Sequence, residues 1–149
     1  MNKIENQEEL IERAKSISKE TTQMAQKVLG TTFPIKSLTV FSHYQSEFES
    51  LTNLLSQMGE PHNYNNGPRV KLFNPIEVNG NHITYLRIRK PDLERPQIGC
   101  NDFEVEYAIF KKKYLAKHSN SLTLIKRPEY EMIELKEPNF NALAYVISN

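Results

Sequence analysis

Tryptophan is absent, cysteine occurs once, and glycine appears only five times in 149 residues. With Cys100 alone, no intrachain disulfide can form, and a zinc site built from several thiolates is excluded. The glycines are scattered, so neither GxGxxG nor GxxxxGK occurs, and no GxSxG elbow presents a nucleophilic serine. No segment approaches the ~18 uninterrupted apolar residues of a membrane span. Neither sign of charge is in excess. Nineteen basic and eighteen acidic side chains leave +1, without the surplus on which nucleic-acid binding rests. The densest basic group, Lys111, Lys112, Lys113 and Lys117, reads as the solvated outer face of a helix.

What is there is an ordinary globular composition. Apolar residues at 38% suffice for a core, and charged residues at 25% fall short of the disordered range. The length fits one domain, taken here as 1–149. The first residues, MNKIENQEELIERAKS, are charged where a secretory signal is apolar, so the expected address is the cytoplasm.

Periodicity divides the chain into elements. Leu10, Ile11, Ala14, Ile17, Met24, Ala25 and Val28 recur near the helical repeat, predicting an N-terminal helix over 1–30 that stops at Gly30. A strand follows at 35–41, where Leu38 and Val40 alternate with Ser37, Thr39 and Phe41. Ser42 or Ser46 can cap the next helix, Ser46 with Glu49 matching a capping box. Phe48, Leu51, Leu55 and Met58 form its stripe, and Gly59 ends it. Residues 60–68 read as a polar loop. A long hairpin comes next, 69–78 and 82–90 around Asn79-Gly80, with a bend at Pro75. After a connection at 91–99, the second half predicts a strand at 100–106, a helix at 107–118, and strands at 122–128, 130–138 and 141–148. Strand, helix and three strands in 100–148 thus repeat the order of 35–90, which shows strand, helix and at least two long strands, three if 69–78 bends at Pro75 into two.

That order resembles the vicinal-oxygen-chelate superfamily of glyoxalases, bleomycin-resistance proteins and extradiol dioxygenases. Residues 72–91 followed by 98–105 are most similar to the hairpin and second opening strand of its YecM-like branch. EPNFNALAYVI (137–147) is similar to the superfamily's closing strand. The resemblance implies an α+β fold: paired βαβββ modules forming a curved mixed sheet around a pocket, with an extra N-terminal helix. It also implies metal ligands, a histidine and a glutamate from each module. At the matching positions stand Ser37, Arg89, Cys100 and Ala144, so no metal and no cofactor is expected.

Strand alternation locates the side chains that would line the pocket. Ile83, Tyr85, Arg87 and Arg89 share one face of their strand, and His82, Thr84, Leu86 and Ile88 the other. Ser37, Thr39 and Phe41 face inward from the first strand, Cys100, Asp102 and Glu104 from the one at 100–106, and Ala142, Ala144 and Val146 from the last. Tyr85, Arg87, Arg89, Cys100, Asp102 and Glu104 are therefore the expected ligand-binding residues. The two guanidiniums suit a carboxylate or phosphate held bidentately, or else they neutralise Asp102 and Glu104 as internal salt bridges. Cys100 reads as a small, partly buried thiol rather than a nucleophile, because no histidine is placed as its base. No two of His43, His62, His82 and His118 have the i, i+4 spacing of a helical zinc motif. The expected function is binding of a small, anionic molecule, with catalysis left open. The alternative is a metal-dependent lyase, isomerase or dioxygenase drawing on His82, Glu104 and His43. The leading helix also leaves a homodimer open.

Overall fold

The computed structural model describes residues 3–148. α1 (Gln7–Leu29) begins at Asn6, whose side chain accepts the Glu9 amide at 2.9 Å, while the Glu9 carboxylate accepts the Glu5 amide at 2.8 Å. The helix therefore starts later than the periodicity predicts. It stops at Gly30 as expected, with the left-handed φ of 73° that favours glycine. β1 (Ile35–Phe41), α2 (Gln45–Ser56), β2 (Gly59–Tyr64), β3 (Pro68–Val78) and β4 (Asn81–Arg89) make the first module. β5 (Gly99–Phe103), α3 (Tyr107–Phe110) with its π-helical continuation Lys111–Leu115, β6 (Leu122–Lys126), β7 (Glu131–Leu135) and β8 (Ala142–Ile147) make the second.

The eight strands form one open, curved mixed sheet in the order β2-β3-β4-β1-β5-β8-β7-β6. The two βαβββ halves are thus arranged about an approximate twofold axis, with the antiparallel β1–β5 pair at the centre. Within each half the opening strand runs parallel to the closing one, β1 to β4 and β5 to β8. The paired-module α+β fold implied by the sequence is the fold observed.

The helices cover one face. Leu10, Ala14, Ile17, Met24 and Ala25 of α1 are fully buried against the sheet with Leu38, Val40, Leu86 and Ile88. Gly99 lets α1 come this close: a Cβ there would sit 2.3 Å from both the Ile17 Cδ1 and the Thr39 carbonyl oxygen. On the helix-free face, Phe41, Leu143 and Tyr145 make a small second cluster around the more polar side chains.

Four local expectations are corrected. Residues 60–68 are not all loop, since β2 pairs with β3 as an edge strand. A strand bonded on one side and exposed along most of its length needs no apolar alternation, and its Pro61 sits at a register shift. Neither Ser42 nor Ser46 caps α2. Tyr44 occupies that position, Ser42 is tied to the Arg89 carbonyl, and Glu47 accepts the His43 amide at 2.7 Å. Gly59 opens β2 instead of ending α2, lying flat against the Lys71 carbonyl where a Cβ would clash. In the hairpin, Pro75 falls within an irregularity between Lys71 and Ile76, and Ile83, paired with Ile76 beyond it, lies fully buried in the main core.

The fifth correction concerns register. Ala142, Ala144 and Val146 belong to the helix-side core, whereas Leu143 and Tyr145 stand beside Cys100 and Asp102 on the open face. Five of the six β8 residues are buried, so the strand carries no polar alternation to mark its faces. Ala144 is therefore not at the position matching a module-closing ligand. With Ser37 and Cys100 taken as equivalent, the residue corresponding to Arg89 is Ile147, four positions beyond the cross-strand partner in each half.

Candidate functional site

The helix-free face holds two contiguous recesses at the centre of the sheet. One, of about 220 Å³, is lined by Ser37, Thr39, Asn65, Arg69, Arg87 and Asp102 among others. The other, of about 210 Å³, is lined by Arg87, Arg89, Arg95, Cys100, Arg127 and Tyr145 among others. Thr39, Asn65 and Arg87 belong to both, so they form the waist of a single two-lobed cavity. Each lobe alone is smaller than the ~300 Å³ at which small-molecule sites begin.

Cross-strand register brings these side chains together. Ser37, Thr39 and Phe41 stand opposite Tyr85, Arg87 and Arg89 on one flank, and opposite Asp102 and Cys100 on the other. Arg69 stands beside Arg87 on β3. The chain between β2 and β3 closes over this corner. The Arg87 guanidinium donates to the Gly67 carbonyl at 2.6 Å and to Asn63 Oδ1 at 2.7 Å. Gly67 has φ 136°, and a Cβ on it would lie 1.9 Å from the Ile88 carbonyl oxygen, so the turn closes only without a side chain.

Positive charge dominates the lining. Among the described residues, five arginines contribute, whereas Asp102 is the only acid lining either lobe. Arg69 lies over the Tyr85 ring at 4.4 Å, and His62 packs on that ring at 4.6 Å, which holds the guanidinium in place. The buried Nε of Arg69 has no hydrogen-bond partner among the described residues. Burial lowers the pKa of Arg87, and neighbouring Arg69 lowers it further, against the pull of Asp102. At the other lobe Arg89 lies over Phe41, 3.8 Å from Asp92. Arg95 is more firmly fixed: it donates to the Tyr145 hydroxyl at 2.8 Å and lies 3.4 Å from Asp92 and 3.6 Å from Glu134. Tyr145 in turn donates to Glu134 at 2.8 Å. Burial, then the neighbouring Cys100 and Glu134, push the Tyr145 phenol upward.

Asp102 and Cys100 form the floor. Burial pushes the Asp102 carboxyl up to about 6; Arg69 opposes this, Glu104 adds to it, and Ser37 offers one long hydrogen bond at 3.4 Å. No ion pair within 4 Å joins Asp102 or Glu104 to Arg69, Arg87 or Arg89 among the described residues. The internal salt bridges of the alternative reading are therefore not formed between those groups. The Cys100 thiol is pushed up to about 12 by burial and by Asp102, with Arg89 and a hydrogen bond to Thr39 only partly opposing. It is protonated at neutral pH and neither a nucleophile nor a metal ligand in that form.

Of the residues expected from the sequence, Arg87, Arg89, Cys100 and Asp102 line the cavity. Tyr85 shares their face but packs against His62 and Arg69, and Glu104 is exposed beyond the end of β5. Arg69, Arg95, Arg127, Asn65 and Tyr145 were not anticipated. Arg69 was accessible from its alternation with the apolar Val70 and Leu72, whereas the others lie on connections or on the strand without polar pattern. The metal implied by the resemblance does not fit. Ser37, Arg89, Cys100 and Ile147 offer a hydroxyl, a fixed cation, a protonated thiol and an alkyl group. No described cluster of three histidine, cysteine or acidic side chains can replace them. His82 pairs with Glu77 at 2.6 Å on an exposed edge of the hairpin. His43 bonds Glu47 and the Gln97 carbonyl instead. No helix among the described residues is long and apolar enough to cross a membrane.

No family model matches the chain, and no curated protein does. Among solved structures, the chain is similar to a structural-genomics target, Protein EC4020, with a TM-score of 0.70 and 12% identity, over 95% of this chain and 87% of that one. At that identity the likeness concerns the fold alone. A second structure, Oxidase ChaP-H2, aligns at a TM-score of only 0.27 with 13% identity, over 80% of this chain and 95% of that one.

Proposed function

We propose that this chain is a small-molecule-binding protein of the vicinal-oxygen-chelate kind, nearest its YecM-like branch, that holds an anionic ligand on arginines in place of a metal. The carrying observation is that Arg69 and Arg87 face the cavity without a carboxylate in ion-pair contact, and that a buried Arg69 nitrogen lacks a partner. Buried cations are normally paired, so a site that leaves two guanidiniums so disposed is suited to receive the countercharge from outside. Arg89, Arg95 and Arg127 extend the same field into the second lobe. In this reading Tyr85 positions Arg69, and Glu104 acts only through its field on Asp102. The floor of the cavity, Cys100 and Asp102, meets the uncharged part of the ligand.

The test is thermal stabilisation by sulfate, inorganic phosphate and citrate, in the wild type and in Arg89→Ala. The expected result is stabilisation of the wild type, with a variant that melts within roughly 2 °C of it but responds less. Two results would overturn the proposal: no response to any of the anions, or a variant that melts several degrees lower while responding as before. The second would make Arg89 a structural partner of Asp92.

A further inference from the structure

A site made only to neutralise an anion would have no use for an acid on its floor. Asp102 projects from the centre of β5 into the lobe that holds Arg69 and Arg87, with one long hydrogen bond from Ser37. Asp102 lines this lobe together with Thr39 and Asn65, and a carboxylate has more acceptor sites than the one that Ser37 occupies. Such an acceptor opposes a plain anion by like charge and rewards a ligand that brings a donor. An ammonium would satisfy the carboxylate but would stand beside Arg69 and Arg87, whose field repels it. A neutral hydroxyl suffers no such penalty.

We infer that the cavity reads its ligand at two points, an anionic group on the arginines and a hydroxyl on Asp102, so that its ligands are hydroxylated anions such as small sugar phosphates or hydroxy acids. This rests on the anion-binding reading above and makes Asp102 the specificity-determining residue. The groups beside Asp102 from the packed strands are Ser37 on β1, Arg69 on β3, Arg87 on β4, Tyr145 on β8, and Cys100 and Glu104 from its own segment. At pH 8 the carboxyl is ionised and only accepts.

Calorimetric titration at pH 8 with methyl phosphate and with glycerol 3-phosphate separates the two points, because both are phosphate monoesters and only one carries hydroxyls. In the wild type the expected preference for glycerol 3-phosphate is about tenfold, the scale of one hydrogen bond to a charged group. In Asp102→Asn, which keeps the size of the side chain, methyl phosphate should bind more tightly than in the wild type, and the preference should shrink. Equal affinity of the wild type for the two esters overturns this inference while leaving anion binding standing. An Asp102→Asn preference as large as that of the wild type does the same. Failure of both esters to bind the wild type overturns the anion-binding reading as well. The wild-type comparison stands whether or not the variant folds.

Discussion

At the scale of single residues, placing a carboxylate among buried side chains leaves a mark on the pH dependence of stability. Asp102 titrates near 6 in the folded protein and near ~3.9 when unfolded. Below both values the carboxyl is protonated in either state and contributes nothing. As pH rises from about 4 to about 6, the unfolded chain loses its proton first, so stability falls, and above the folded value the full penalty persists. Asp102→Asn should therefore be more stable than the wild type at pH 8, by about 1–2 kcal/mol after allowance for solvent screening, and no more stable at pH 3.5. Denaturant melts at the two pH values check this, and a variant less stable at pH 8 would contradict it. Under the proposed hydroxyl contact, recognition and stability pull on this residue in opposite directions. Cys100, with its thiol at about 12, should react with a disulfide reagent at pH 8 far more slowly in the native protein than after unfolding. A native rate equal to the unfolded one would show the thiol to be exposed and ionisable.

At the scale of elements, α1 is part of the domain core. Ile17→Ala empties a fully buried position between helix and sheet and should cost about 2–5 kcal/mol in chemical denaturation. A loss below about 0.5 kcal/mol, with a change in oligomer size instead, would mark the helix as an interface. The turn at Gly67 links fold to site more directly. Gly67→Ala must push the turn away from the Ile88 carbonyl, which withdraws the Gly67 oxygen from Arg87. Weaker anion binding is expected than in the wild type, measured by the same thermal response; an undiminished response would show that Arg87 needs no such tether.

Which elements the sequence revealed follows from how each is solvated. α1, the Asn79-Gly80 hairpin and the strands with one polar face were legible, because burial on one side writes a period into the chain. β2 was not, since an exposed edge strand writes none. β8, buried on both faces, hid its register, and with it the contribution of Tyr145. Alternation along β4 and β5 put Arg87, Arg89 and Asp102 on the face that bears the cavity, where they stand. Arg95 and Arg127 lie on connections, whose path no periodicity reports.

At the scale of the whole molecule, the two modules build a symmetric frame whose halves meet at β1 and β5. The frame brings their side chains to one place, whatever those side chains are. Here the residues so gathered are arginines around an acid, and the function proposed for them is anion recognition in place of the metal coordination that the resemblance implies. Chelator treatment should accordingly leave anion binding unchanged. The most direct measurement is a titration of sulfate, which does not itself ionise near neutral pH, into the wild type and Arg87→Met. Saturable binding by the wild type, weakened about tenfold or more in a variant with a comparable melting temperature, is the expected result. Sulfate bound equally well by both proteins, or by neither, would contradict a site built on arginine.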